Sequence, residues 1–361
     1  MADGRRRTPA GATAGVGAGG LDGSPGRPRP TIRDVAAAAG VSLKTVSRVL
    51  NHESGVSAAT GERVREAAAR LGYHRDEAAA NLRRLDRSTR LLGVVTEDLG
   101  NPFYSMLARA VEDVARAHGY LVMVASSDED AETEREVLQA LCTRRVDGLV
   151  VVPTGTDLAY LTPEIASGTA VVFVDRPALD GQVDSVVAAN VEGAVRATAH
   201  LLGQGHRRIA HLGDDPRIFT AAERYRGYCE ALSQAGVELD PGLVRRGPHD
   251  IEAAADAAAE LLAGPDGPTA IFCGNNRLTV GAVRALRRHP HPVALVGFDD
   301  FEMADMLDPA VTVVAQDIDA LGRTATELLF RRIGGDTRPA QRIMLGTRLI
   351  PRGSGEVPPW R

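Results

Sequence analysis

A carboxylate and a guanidinium stand side by side in Val171-Val-Phe-Val-Asp-Arg-Pro177, directly after an apolar run that reads as a buried strand. At a strand end, Asp175 and Arg176 form either a polar clamp for a diol, a carboxylate or a base edge, or an internal ion pair. A second concentration of chemistry lies between Thr31 and Asn51. There Val46, Val49 and Leu50 repeat at helical spacing, while Lys44, Ser47 and Arg48 fall outside that stripe, able to meet base edges and phosphates. Lys44 is the only lysine of the chain. The sequence has no G-x-S-x-G elbow, phosphate loop, H-E-x-x-H or Cys–His cluster, so it reads as a non-enzyme with no cofactor and no metal. His206 and His211 flank a strand as a structural pair, and the runs Gly213-Asp214-Asp215 and Asp299-Asp300 read as surface turns rather than cation sites.

Charge is distributed unevenly. Residues 1–90 carry 16 basic and 9 acidic side chains, a balance of +7, whereas the remainder stands at −12 within a total of −5. A basic head on an acidic body suits a reader of nucleic acid joined to a sensor. Cys142, Cys229 and Cys273 are odd in number and too scattered for zinc, so buried free thiols are expected. No apolar run approaches the roughly 18 residues of a membrane span. Arg5, Arg6 and Arg7 lead into Gly, Ala and Pro rather than an apolar core, so a cytoplasmic protein without membrane association is expected.

These groups need elements to hold them. Residues 1–30 have almost no large apolar side chains and are expected to be a disordered tail. From 31 to 75 short helices follow one another, with a capping-box-like start at Thr31 and Asp34, a break at Gly40, caps at Ser42 and Ser57, and a stop at Gly72. A polar, Arg-rich link spans 76–90. Beyond it, apolar runs at 91–96, 120–125, 148–152, 170–174, 184–188, 208–212, 269–273, 293–298 and 342–345 alternate with amphipathic helices. That alternation predicts parallel sheets covered on both faces, enough for two doubly wound lobes. The expected fold is thus an all-α helix-turn-helix head followed by an α/β sensor of two parallel-sheet lobes. The lobes are expected over 91–188 with 316–336 and over 189–315 with 337–352, with crossings near 189, 315 and 337 and a tail over 353–361. Ligands bind such sheets at the carboxyl ends of the strands.

The stretch Thr31-Ile-Arg-Asp-Val-Ala-Ala-Ala-Ala-Gly-Val-Ser-Leu-Lys-Thr-Val-Ser-Arg-Val-Leu-Asn51 resembles the lactose-repressor (LacI/GalR) family of bacterial regulators. The resemblance continues through Val56-Ser57, Arg63-Val64 and Leu71-Gly72-Tyr73 into the sensor, over roughly residues 30–352. It implies that Leu43, Lys44 and Arg48 read base edges of double-stranded operator DNA and that Ser42, Thr45, Ser47 and Asn51 hold phosphates. It places a hinge helix over Asp76–Arg84, with Leu82 as a wedge in the minor groove. Arg75, Asp76 and Ala80 depart from the family pattern there. Leu92–Tyr104 is similar to the first strand and ligand loop shared with periplasmic sugar-binding proteins. Asn101 would bond a hydroxyl, and Phe103 would either stack on a sugar ring or pack in the core. Asn190, Arg224, Asn275 and Asp299 match ligand-contacting positions, beside Asp175 and Arg176. Ala189 and Asn276 stand where carboxylates are usual, which points to an effector that is less hydroxylated than a free sugar or itself anionic. The implied protein is a homodimeric repressor of a palindromic operator, controlled by a small-molecule effector of the carbohydrate class. A non-sequence-specific DNA binder and a periplasmic solute-binding protein are the alternatives.

Overall fold

Taking an apolar stripe out of water requires a partner surface, and the chain supplies such surfaces in two units, one ending at Leu85 and one beginning at Asp86. The computed structural model describes residues 30–51, 53–73, 88–155, 159–177, 181–264 and 266–360. The expected N-terminal tail, but for Pro30, and the expected hinge helix with Arg75, Asp76, Ala80 and Leu82 lie outside them.

In the first unit, α1 (Ile32–Ala39), α2 (Leu43–Leu50) and α3 (Ala58–Leu71) pack around Val35, Val46 and Val64, all fully buried. Each such valine contributes about 1.5–3 kcal/mol by leaving water. The boundaries are set by side chains and backbone together. The Asp34 carboxylate accepts from the Thr31 amide and hydroxyl at 2.7 and 2.8 Å, which also lowers its pKa. Ser42 accepts from the Thr45 amide at 3.1 Å, and Ser57 from the Thr60 amide at 3.3 Å. Gly40 ends α1 with φ at 64°, a left-handed turn that a side chain would strain.

The second unit contains two six-stranded sheets. The first has the order β11-β5-β4-β3-β1-β2, all parallel, from β1 (Leu91–Thr96), β2 (Leu121–Ser126), β3 (Gly148–Val151), β4 (Ala170–Val174), β5 (Asp184–Ala188) and β11 (Arg342–Leu345). The second repeats that order as β12-β10-β9-β8-β6-β7, from β6 (Ile209–Gly213), β7 (Val244–Arg246), β8 (Ala270–Cys273), β9 (Ala294–Phe298), β10 (Thr312–Gln316) and β12 (Thr347–Ile350), with only β12 antiparallel. Helices α4 (Pro102–Ala117), α5 (Ala131–Thr143) and α6 (Thr162–Ala166) belong to the first lobe. Helices α7 (Asn190–Gly203), α8 (Phe219–Gln234), α9 (Ile251–Leu262) and α10 (Asn276–Leu286) belong to the second, and α11 (Ile318–Ile333) returns to pack on α4.

The chain passes between lobes at Ala189, Asp317 and Gly346, one residue each time. The first two lie where expected, but the third falls at Gly346 rather than near 337. The reason is the edge strand β11, which stays with the first lobe because Ile343 and Leu345 point into its core. Strands β7, β10 and β12 fall outside the expected set. β7 is only three residues long, and β10 runs directly into Asp317, which caps α11, so no turn marks its end. Residues 353–360 do not project as a tail. Gly353 bridges Ala310, Ser354 is buried, and the Trp360 ring stacks on His291 at 4.5 Å. All three cysteines are free, although only Cys273 is fully buried.

Close helix pairing depends on small residues. A Cβ at Gly322 of α11 would lie 2.6 Å from the Ala110 Cβ and 3.0 Å from the Leu107 carbonyl oxygen of α4. Gly322→Ala should therefore destabilise the sensor by about 1–3 kcal/mol, read as a lower denaturant midpoint in equilibrium unfolding.

Candidate functional site

In the head, the apolar side of α2 is spent on the core, with Val46 and Val49 buried. Ser42, Leu43, Lys44 and Arg48 are exposed, while Thr45, Ser47 and Asn51 are half-buried. A groove runs along this face, lined by Ser42, Lys44, Thr45 and Arg48 and also by Ser57, Thr60 and Arg63. The amino ends of both α2 and α3 open onto it, adding two partial positive charges to those of Lys44, Arg48 and Arg63. Ser57, Thr60 and Arg63 were not among the expected contacts; the cap at Ser57 was their signal. Glu53, also unforeseen, accepts from Asn51 Nδ2 at 3.0 Å and stands 3.7 Å from Arg48 Nε. Both Arg48 and Glu53 are about half exposed, so this pair is loosely held.

In the sensor, the expected residues converge on the cleft between the carboxyl ends of the two sheets. Asp175 follows β4 and Asp299 follows β9, at equivalent places in the repeated strand order. Both have φ of 69°, and both donate their amide at 2.9 Å to the next strand, at Val186 and Val314. A left-handed carboxylate at each strand end is a backbone conformation kept where function requires it. Arg224 reaches in from α8, donating from Nε to Asn190 at 2.8 Å and from Nη1 to the Gly274 carbonyl at 2.7 Å. It also pairs with Asp299 at 3.3 Å and lies 3.9 Å over the Phe298 ring. Asn101 and Asn275 cap α4 and α10, accepting from the amides of Phe103 and Leu278.

Arg176 is not an open clamp. Its guanidinium is buried and donates to Glu97 at 2.7 Å, to both Glu129 oxygens at 2.7 and 2.8 Å, and to the Pro153 carbonyl at 3.1 Å. It therefore takes the internal-ion-pair alternative. Phe103 likewise packs in the first lobe's core, edge-on to Tyr104, with 6% exposure, too little to offer a stacking face. Among the described residues, Asp175 Oδ1 is buried and finds no hydrogen-bond partner. Burial pushes its pKa up to about 6; the charges of Arg176 and Arg224 oppose this, and those of Asp299 and Glu129 reinforce it. A buried acceptor left open in a cleft suits a ligand hydroxyl.

Glu97, Asp98, Glu129, Asp214 and His249 belong to this cleft but were not singled out for it. Glu97 accepts from Tyr104 at 2.9 Å as well as from Arg176. Polar bridges join the lobes across the cleft: Asn276 Nδ2 donates to Asn101 Oδ1 at 2.8 Å, Arg277 pairs with Asp98, and His249 Nε2 stands 3.5 Å from Glu97. Asn276 is thus spent on a bridge that an aspartate could not donate. Carboxylates at Glu97, Asp98, Glu129, Asp175, Asp214 and Asp299 stand in this cleft beside Arg176, Arg224, Arg277 and His249. The runs at 213–215 and 299–300 are not simple surface turns. Asp214 and Asp299 are buried in the cleft, while Asp215 and Asp300 pair with Arg217 and Arg352. His206 bonds Thr269 and the Val357 carbonyl, and His211 lies buried among Tyr225, Tyr228 and Phe272. Among the described residues no group of three or more His, Cys, Asp or Glu is arranged to hold a metal, and no helix is long and apolar enough to cross a membrane.

Residues 31–76 match the family model "Bacterial regulatory proteins, lacI family", and residues 89–351 match "Periplasmic binding proteins and sugar binding domain of LacI family". The chain belongs to the LacI family. It is a DNA-binding transcriptional regulator with a sugar-binding-type domain, like its LacI-family relatives. It is 30% identical to the HTH-type transcriptional repressor CytR of Escherichia coli K12, over 91% of this chain and 97% of that protein. Identity to the ribose operon repressor of the same organism is 32%, over 90% and 99%. Among solved structures, the Lac repressor dimer bound to operator and the anti-inducer ONPF matches with a TM-score of 0.80 at 27% identity, covering 91% of this chain and 99% of that one. The complex of the regulator CelR with cellobiose matches at 0.67 and 33%, covering 90% and 100%.

The hydrogen bond to Asp214, at 3.0 Å, is the main cause that holds the His249 pKa up to about 9. A raised imidazole pKa contributes stability that is full below the unfolded value near 6.5 and is lost as pH rises toward 9. The sensor's melting temperature should fall over that interval, and His249→Gln should flatten the slope by lowering the acid side while leaving the alkaline side unchanged.

Proposed function

We propose that this regulator is a homodimeric repressor that binds a palindromic operator and responds to a neutral, polyhydroxylated small molecule. It acts in the cytoplasm and is not an enzyme. In the head, Leu43, Lys44 and Arg48 read major-groove edges, and Ser42, Thr45, Ser47 and Asn51 hold phosphates; Leu82 wedges into the minor groove at the operator centre. The observation that carries this reading is the division of α2 into a buried apolar side and an exposed face on the groove where two helix amino ends meet. A single small head makes too few base contacts for specific control, which favours two-fold pairing of chains. The exposed Met303 and Met306, in one loop of the second lobe, are suited to a partner surface.

The effector is held by Asn101 and Asp175 from one lobe and by Asn190, Arg224, Asn275 and Asp299 from the other. Arg176 orders Glu97 and Glu129 rather than touching the ligand, and Phe103 supports Tyr104. The surplus of carboxylates and the open Asp175 oxygen support a ligand that donates hydroxyl hydrogen bonds and carries no negative charge. The relatives whose names mention ribose or cellobiose are consistent with this class.

Selection from randomised DNA should yield a palindromic consensus for the wild-type chain. Arg48→Ala should lose that preference in a mobility-shift assay while keeping its circular-dichroism spectrum; unchanged sequence-specific binding in that variant would count against the assignment. In a thermal-shift panel, a neutral sugar at about 100 times its dissociation constant should stabilise the sensor by roughly 2.7 kcal/mol, and sugar phosphates and acids should not.

A further inference from the structure

Residues 88–90, where the Arg-rich link enters the first lobe, are gathered onto a single carboxylate. Asp147, immediately before β3, accepts at Oδ1 from the Thr89 amide at 2.8 Å and the Thr89 hydroxyl at 2.9 Å. At Oδ2 it accepts from the Arg90 amide at 3.0 Å and from the Ser88 hydroxyl in a short contact. Among the described residues no basic side chain forms an ion pair with Asp147; its acceptor capacity goes to the link root. The Thr89 hydroxyl also lies 2.7 Å from the Arg145 carbonyl. Arg90 adopts φ of 55°, so the chain turns sharply here before starting β1. Three donors on two oxygens, with the Thr89 hydroxyl proton shared between Asp147 and the Arg145 carbonyl, suit an ionised carboxylate, which only accepts; an amide of the same shape would turn an N–H toward some of them.

The placement of Asp147 gives this knot a mechanical context. Its own amide donates to the Leu91 carbonyl at 2.8 Å, so it is also stitched to the start of β1. Its neighbour Gly148 is pressed by Leu329 of α11, whose side chain would stand 3.0 Å from a Cβ there. α11 is the helix whose two ends lead to the Asp317 and Gly346 crossings.

We propose that Asp147 is a positioning residue for operator binding: it fixes the direction in which the link leaves the sensor. The proposal rests on the regulator reading above. Asp147→Asn should weaken affinity for the palindrome selected by the wild-type chain by about tenfold or more, with affinity for unrelated DNA unchanged. Ser88→Ala combined with Thr89→Val removes the two hydroxyl donors and leaves Asp147 and the two amide donors in place, so it keeps the test open should Asp147→Asn fail to fold; it should give a selective loss in the same direction. Hydrogen exchange on the full chain should show the Thr89 and Arg90 amides protected in the wild type and exchanging faster in Asp147→Asn. A merely structural role would lower the melting temperature and leave the ratio of specific to unrelated binding untouched. Faster exchange at both amides with wild-type affinity for the palindrome overturns the proposal. A wild-type chain that selects no sequence overturns the regulator reading and the proposal with it, whereas protection in the exchange arm tells that failure from a mistaken assignment of the knot.

Discussion

A guanidinium withdrawn from water must bring its counter-charges with it, and removing one partner of such a pair costs about 3–5 kcal/mol. The sensor withdraws two, Arg176 and Arg224, each 4% exposed and one in each lobe. Most of the cleft is arranged around that requirement. Arg176 draws Glu97 and Glu129 together, and Glu97 in turn holds the Tyr104 hydroxyl and faces His249 across the cleft. Arg224 fixes the Asn190 amide and the Asp299 carboxylate. Parallel sheets direct all their strand ends to one edge, which is why two such sheets face to face concentrate charge there.

Several of these side chains also stabilise the fold. Asn101 caps α4 with the oxygen that also receives Asn276 from the other lobe, and Asn275 caps α10 while donating to Asp214. A cap contributes on the order of 1 kcal/mol. A substitution at either asparagine therefore alters a helix start and the cleft together, and unfolding data alone would not separate the two effects.

Much of this was legible because it follows from local rules. The helices of the head announce themselves by period and by Gly40, Ser42, Ser57 and Gly72, and Asp175 and Asp299 stand out as charged residues directly after apolar runs. What escaped depends on partners distant in sequence. Whether Arg176 clamps a ligand or pairs internally is decided by Glu97, 79 positions away, and by Glu129, 47 away. The role of His249 depends on β7, a strand of three residues that carries almost no periodic signal. The edge β11 could have joined either sheet on its pattern alone; the inward direction of Ile343 and Leu345 assigned it to the first.

The three crossings are each a single residue, at Ala189, Asp317 and Gly346. Three short tethers side by side behave like the pins of a door hinge: they permit opening about one line and resist sliding or twisting. The two lobes then have, to a first approximation, one degree of freedom. A chemically varied set of ligands would be reduced to a single quantity, the opening angle. Ligands could differ in how far they shift the protein along that coordinate, but not in the kind of message they send.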